Sequence, residues 1–215
     1  MSHYESEQEQ IEKIKRWWAE YGTSLVLGLA LALAGLSGWR YYEGNKTATA
    51  ERVGLSYDLL NKALQQDKMD EAKQIGEQIL ASQPESSYAT LSALLLAKAA
   101  VLQKNYEEAR QRLRWAAENT VAPELRQIAI ARIAATFLAE HRADDAWAEL
   151  DKGGLTKVDA FLEIRGDVLA ARGQLDEARK AYLAALAQGT AGGEQTLLQL
   201  KLDSLPAPLA TAANP

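Results

Sequence analysis

Residues 162–187 read LEIRGDVLAARGQLDEARKAYLAALA, and the two helical stripes in this stretch decide the fold. Leu162, Gly166 and Leu169 share one face of a first helix, while Ala178, Tyr182 and Ala185 share one face of a second. The small residues allow the two helices to pack closely as a hairpin. Upstream, the chain repeats the start of the second helix: Met69-Asp70-Glu71-Ala72, Tyr106-Glu107-Glu108-Ala109 and Ala143-Asp144-Asp145-Ala146 precede Leu175-Asp176-Glu177-Ala178. The alanines are 37, 37 and 32 residues apart, a period that marks a solenoid of helical hairpins. Each acid pair is predicted in the first turn of its helix, where negative charge meets the positive end of the helix dipole. Acid–base or metal chemistry would need the carboxylates to converge in one pocket, whereas equivalent positions of successive units are spread along the stack.

The last unit resembles the tetratricopeptide repeat through Gly166, Gly173, Ala178, Tyr182 and Ala185. The second unit matches with Ala97, Ala109, Leu113 and Ala116, and the first is followed by Pro84. The first and third units depart from the pattern, with Gly76 and Leu150 at the aromatic position, so irregular packing is expected there. The spacing predicts helices over residues 47–66, 69–81, 86–103, 106–119, 123–140, 143–151, 158–171 and 175–188. A ninth, at 194–204, follows Gly192-Gly193 and is expected to cap the open end of the stack. The fold class is therefore all-α: an N-terminal transmembrane helix, then a tetratricopeptide-repeat-like α-solenoid of about four hairpins and a capping helix.

The membrane segment is the uncharged run YGTSLVLGLALALAGLSGW at residues 21–39, which as a helix spans roughly 28 Å. Trp17, Trp18 and Tyr21 frame one end and Trp39, Tyr41 and Tyr42 the other, where amphipathic rings settle among lipid headgroups. Six leucines and Val26 favour insertion by at most roughly 2 to 4 kcal/mol, a moderate drive. Two readings compete. Ala30-Leu31-Ala32 and Ala32-Leu33-Ala34 match a signal-peptidase pattern, but they lie inside the apolar run with no polar region before them. A buried core helix is the other, and runs this long are uncommon inside soluble domains. Lys13, Lys15 and Arg16 precede the span, and Arg40 and Lys46 follow it. This slight excess, with the short leading segment, places the N-terminus in the cytoplasm and the long domain outside. The expected divisions are a cytoplasmic segment at 1–20, a span at 21–42, a repeat domain at 43–205 and a loose Pro/Ala tail at 206–215. The leading segment reads as a short basic amphipathic helix on Ile11, Ile14 and Trp18 that runs on into the span.

Beyond the span, 20 basic against 24 acidic residues argue against nucleic acid, and the absence of cysteine removes disulfide, thiol and thiolate-metal chemistry. No catalytic, cofactor or metal constellation is expected. His3 and His141 have no partner cluster, and both read as surface residues. Arg110, Arg112 and Arg114 alternate along a helix and read as a solvated face. Two candidate interaction surfaces stand out. The first helices would line a concave face with Leu91, Leu94, Lys98 and Val101 from the second unit and Ile128, Ala131, Ala135 and Leu138 from the third. Residues 91–101 are apolar almost all round, so they either pack deeply, with the C-terminal helix as one candidate cover, or offer a groove to an apolar or helical segment. Lys98 alone makes no carboxylate clamp. Within the span, Ala30, Ala34 and Gly38 form a small-residue stripe that would let a second membrane helix approach.

Residues 11–22, IEKIKRWWAEYG, the span exit Gly38-Trp39-Arg40-Tyr41-Tyr42, and the domain from Ser56-Tyr57 to the helix at 197–205 together resemble the YfgM family of ancillary SecYEG translocon subunits. The resemblance implies a single-pass protein of the bacterial inner membrane with a periplasmic repeat domain. Its implied partners are the SecYEG translocon, the membrane-anchored chaperone PpiD, exported client proteins and membrane lipids. The implied function is a non-enzymatic adaptor that passes exported chains to periplasmic chaperones. Two alternatives are a negative regulator of an Rcs-type envelope-stress pathway, acting through a cytoplasmic response regulator, and a scaffold for envelope protein assembly.

Overall fold

A computed structural model describes residues 2–189 and 193–206, apart from the side chains of residues 2–8, 45–49 and 193–194. The His3 side chain, Gly192 and the tail beyond Pro206 therefore lie outside what is described. The chain divides into two compact units, Met1–Arg52 and Val53–Pro215. Among the described residues there is no strand. Those residues form nine α-helices in succession: α1 Ser2–Gln65, α2 Met69–Ser82, α3 Ser87–Leu102, α4 Tyr106–Asn119, α5 Pro123–Ala139, α6 Ala143–Lys152, α7 Leu162–Ala171, α8 Leu175–Ala187 and α9 Gly193–Ser204.

In the first unit, α1 carries the leading segment and the apolar run without interruption. The leucines of that run are exposed, as is Trp39. A helix at the core of a soluble domain would bury them, so that reading of the run is excluded. Gly22 is the one residue between 9 and 44 that is buried, and it is covered by Trp18, whose ring lies 3.1 Å from where a Cβ would stand.

In the second unit, the predicted hairpins form with a shared geometry. Ala72, Ala109, Ala146 and Ala178 are all fully buried, each at the point where the second helix of a hairpin presses on its neighbours. The acid pairs sit in the first turns of α2, α4, α6 and α8, as their spacing predicts. The four hairpin turns are also equivalent. Asp67, Lys104, His141 and Gly173 each adopt a left-handed backbone, with φ of 60°, 60°, 60° and 77°. The following amide closes a six-residue loop: Lys68, Asn105, Arg142 and Gln174 donate to the carbonyls of Ala63, Ala100, Phe137 and Leu169 at 2.9 Å each. Only one of the four positions is glycine, so three side chains hold a conformation that L-residues disfavour.

The departures from the repeat pattern have local causes. At Gly76 the missing aromatic is replaced from the next helix: Leu96 of α3 fills the space, 2.6 Å from a would-be Cβ. Leu150 takes the aromatic position of the third unit and is fully buried. The helix expected over 158–171 starts later, at Leu162, because Gly154 turns left-handed at φ 72° and Leu155 drops into the core. Two 3-10 turns, Leu155–Lys157 and Asp159–Phe161, occupy the interval. At the end of the stack, Leu198 and Leu202 of α9 pack with Ala178, Ala181 and Tyr182 of α8. Lys201 bonds Glu163 and Asp167 of α7 at 2.7 Å each, and the Tyr182 hydroxyl donates to Asp167 at 2.8 Å. Burial pushes the Lys201 ammonium down, but the two carboxylates outweigh it and hold it above its usual range. The capping helix thus covers α7 and α8, and α3 is not beneath it.

Two substitutions test this geometry with opposite signs. A methyl group at Gly166 would stand 2.5 Å from the buried Tyr182 ring, which its bond to Asp167 prevents from yielding. Overpacking of this kind outweighs the roughly 1 kcal/mol that alanine gains over glycine in a helix, so Gly166→Ala should lose about 1 to 2 kcal/mol in thermal or urea unfolding. His141→Gly relieves a left-handed backbone on an exposed turn and should gain about 0.5 to 1 kcal/mol in the same measurement.

Candidate protein-docking groove

The first helices α3, α5 and α7 border two recesses. One, of about 400 Å³, lies among α3, α4 and α5; Leu94, Lys98 and Val101 face Arg132, Ala135 and Thr136, with Tyr106 and Leu113 from α4. The other, of about 320 Å³, lies between α5 and α7; Ile128, Ala131, Arg132 and Ala135 face Phe161, Glu163, Ile164 and Asp167. Arg132 and Ala135 border both, so the recesses adjoin along α5. Apolar atoms make most of the walls.

Six of the eight concave-face residues expected from the sequence border these recesses: Leu94, Lys98, Val101 and Ala135 the first, and Ile128, Ala131 and Ala135 the second. Leu91 and Leu138 instead pack, half-buried, against the main core. Ala30, Ala34 and Gly38 are exposed on α1, and a Cβ at Gly38 would meet nothing within 4 Å. The sequence reading missed Arg132 at the rim. The equivalent of Lys98 in the next unit is Ala135, and Arg132 precedes it by one helical turn, so a search by repeat register passes over it.

Behind the first recess lies a polar knot. Arg110, read from its alternation as solvated, is instead buried at 3% exposure, a correction forced by the inward face it shares with Leu113 on α4. Its guanidinium donates to Glu107 at 2.9 Å and to Glu140, comes within 3.5 Å of the Thr136 hydroxyl, and stacks 4.6 Å from the centre of the Phe137 ring. Burial pushes its pKa down, but the bonds from Glu140 and Glu107 outweigh it and leave the group above its usual range. The bond from Arg110 in turn holds the Glu107 carboxyl below its ordinary range. Arg112 is half-buried and pairs with Glu77 at 2.7 Å, while Arg114 is exposed.

These features define a class: helical-hairpin repeats presenting an apolar groove, with a long apolar helix at the N-terminus. Residues 15–207 match the tetratricopeptide repeat-like domain, and the chain belongs to that family, among the proteins known as ancillary SecYEG translocon subunits. The relative of that name from Neisseria gonorrhoeae is 30% identical, over 95% of this chain and 100% of its own length. That from Escherichia coli K12 is 28% identical, over 95% of this chain and 99% of its own. A solved structure of tetratricopeptide-like repeats from a Podospora anserina kinesin light chain superposes with a TM-score of 0.54 at 19% identity, over 70% of this chain and 83% of that one, and supports the fold.

Removing Arg110 strips one of the two guanidinium groups stacked on Phe137, Arg142 being the other, and leaves Glu140, itself partly exposed, with only the longer 3.9 Å contact to Arg142. Arg110→Ala should therefore cost about 2 kcal/mol in urea unfolding at neutral pH, below the range for wholly buried pairs because water reaches Glu140. The depressed Glu107 carboxyl fixes the sign with pH: its contribution is complete above the ordinary carboxylate range and is lost as pH falls below that range and through the depressed value of the folded state. The difference between the wild type and the variant should accordingly shrink in acid.

Proposed function

We propose that this protein is a non-catalytic, membrane-anchored adaptor that works at the SecYEG translocon and helps pass exported chains to periplasmic chaperones, with PpiD as a partner. The observation that carries the proposal is the apolar groove on a repeat scaffold whose N-terminal helix exposes a bilayer-length leucine run. The names of the relatives supply the translocon as the site of action. In this reading, residues 1–20 lie in the cytoplasm, 21–42 cross the inner membrane, 43–205 form the periplasmic docking domain, and 206–215 are a loose tail. The basic flank Lys13, Lys15 and Arg16 favours that orientation. Tethering raises the effective concentration of the groove beside the membrane, so weak contacts with many passing segments suffice.

One experiment on the full chain in cells examines both halves of the proposal. The chain has no cysteine, so Ser204→Cys provides a unique label, which a membrane-impermeant maleimide should reach from outside in spheroplasts. A photo-crosslinking residue at Val101, on the groove, should trap PpiD, translocon subunits or exported chains, whereas one at Leu183, exposed on α8 away from both recesses, should not. Labelling only after lysis would reverse the orientation. Equal adducts from the two positions, or none, would remove the groove from the function.

A further inference from the structure

Once Lys201 is counted with the two acids it bonds, the groove is net positive, and the charged side chains left unpaired on it are cations. Four ionised side chains border the two recesses: Lys98, Arg132, Glu163 and Asp167. The two acids are both bonded to Lys201 at 2.7 Å, and Asp167 also receives the Tyr182 hydroxyl. The two cations are exposed, and among the described residues neither forms an ion pair or hydrogen bond. Arg110, just behind the wall, is already matched by Glu107 and Glu140. The pair of cations stands unmatched at an apolar recess in a domain with more acids than bases. Water solvates the cations in the free groove, and an apolar occupant would strip part of that water away. A neutral or basic occupant would leave the charges desolvated and unpaired, which is unfavourable.

We propose that the groove selects a partner segment in which a carboxylate side chain lies among large apolar residues, the carboxylate seated between Lys98 and Arg132 and the apolar residues on Leu94, Val101 and Ile128. This rests on the docking role proposed above and specifies its ligand. Apolar contact supplies affinity, and the two cations supply the choice among segments and hasten encounter with acidic ones. Arg132 presents a planar fork that suits a carboxylate, and Lys98 acts as a point charge on a flexible stem.

The test uses the full-length protein in lipid nanodiscs and short acetylated, amidated peptides, so that no terminal carboxylate contributes. The first peptide carries aspartate among leucine and phenylalanine, the second asparagine in place of aspartate, and the third lysine. The aspartate peptide should bind at least about tenfold more tightly than the asparagine peptide, and the gap should narrow as salt is raised. The double variant Lys98→Glu and Arg132→Glu should reverse the order and favour the lysine peptide. Lys98→Gln with Arg132→Gln, a milder change at two exposed positions, should abolish the preference while helicity stays unchanged. Equal binding of the aspartate and asparagine peptides to the wild type would overturn the proposal, as would an acid preference that survives either double variant. Adducts from Val101 that persist without any acid preference would refute the charge selection alone, whereas absence of those adducts from the wild type would refute the docking role itself.

Discussion

Four alanines set the distance on which the repeat domain depends. Ala72, Ala109, Ala146 and Ala178 have no exposed surface, and a larger side chain at any of them would push apart helices that are otherwise in contact. Close approach at those points lets longer side chains from neighbouring helices interlock, as Leu96 does over Gly76 and Tyr182 does over Gly166. It also brings the hairpin ends near enough to share one turn. The recurring six-residue loop at Lys68, Asn105, Arg142 and Gln174 follows from that closeness, and the loop tolerates a left-handed Asp67, Lys104 and His141 because the interior outweighs the local strain.

The same distance explains what could be read from the chain without coordinates. Wherever periodicity encodes contact, the sequence is legible: acids open the second helices, alanines are buried, and α4 spans the predicted residues 106–119. Legibility fails where one unit borrows from another. Nothing local to Gly76 signals that Leu96, twenty residues on, completes its packing. Arg110 misleads because alternating arginines resemble a solvated face, and its partner Glu140 lies thirty residues away on the next hairpin. Arg132 escapes notice because it stands one turn out of register with Lys98, so only the juxtaposition of α3 and α5 brings the two cations to one recess. The late start of α7 has a local cause, but Gly153-Gly154 marks only where α6 ends and not how far the 3-10 turns run.

The groove lies on the first helices for a related reason. The second helices carry the alanine contacts and the acid-rich first turns, so their side chains are committed to hairpin packing and dipole compensation. The first helices contribute Leu60, Ala97, Ala134 and Gly166 to the interior and are left with a second, outward apolar edge. That edge explains why α3 is apolar nearly all round yet only partly buried: one side belongs to the fold, and the other to the recess it shares with α5.

Electrostatics links this groove to the end of the stack. Glu163 and Asp167 border the second recess, and left to themselves they would place two negative charges beside Arg132 and cancel its field. Lys201 limits this, because it reaches from α9 to both carboxylates and is held above its usual range by them, so that it remains charged and offsets one of the two negative charges. Asp167 is tied further by the Tyr182 hydroxyl, whose own pKa is pushed up by burial and by that carboxylate, so the bond donor stays protonated. The capping helix therefore does more than cover Leu198 and Leu202 at an open end. By offsetting one of the two negative charges on that rim and engaging both carboxylates from behind, it leaves Lys98 and Arg132 as the unpaired charged side chains along the apolar path, and the net positive sign of the groove depends on a helix that does not touch its floor.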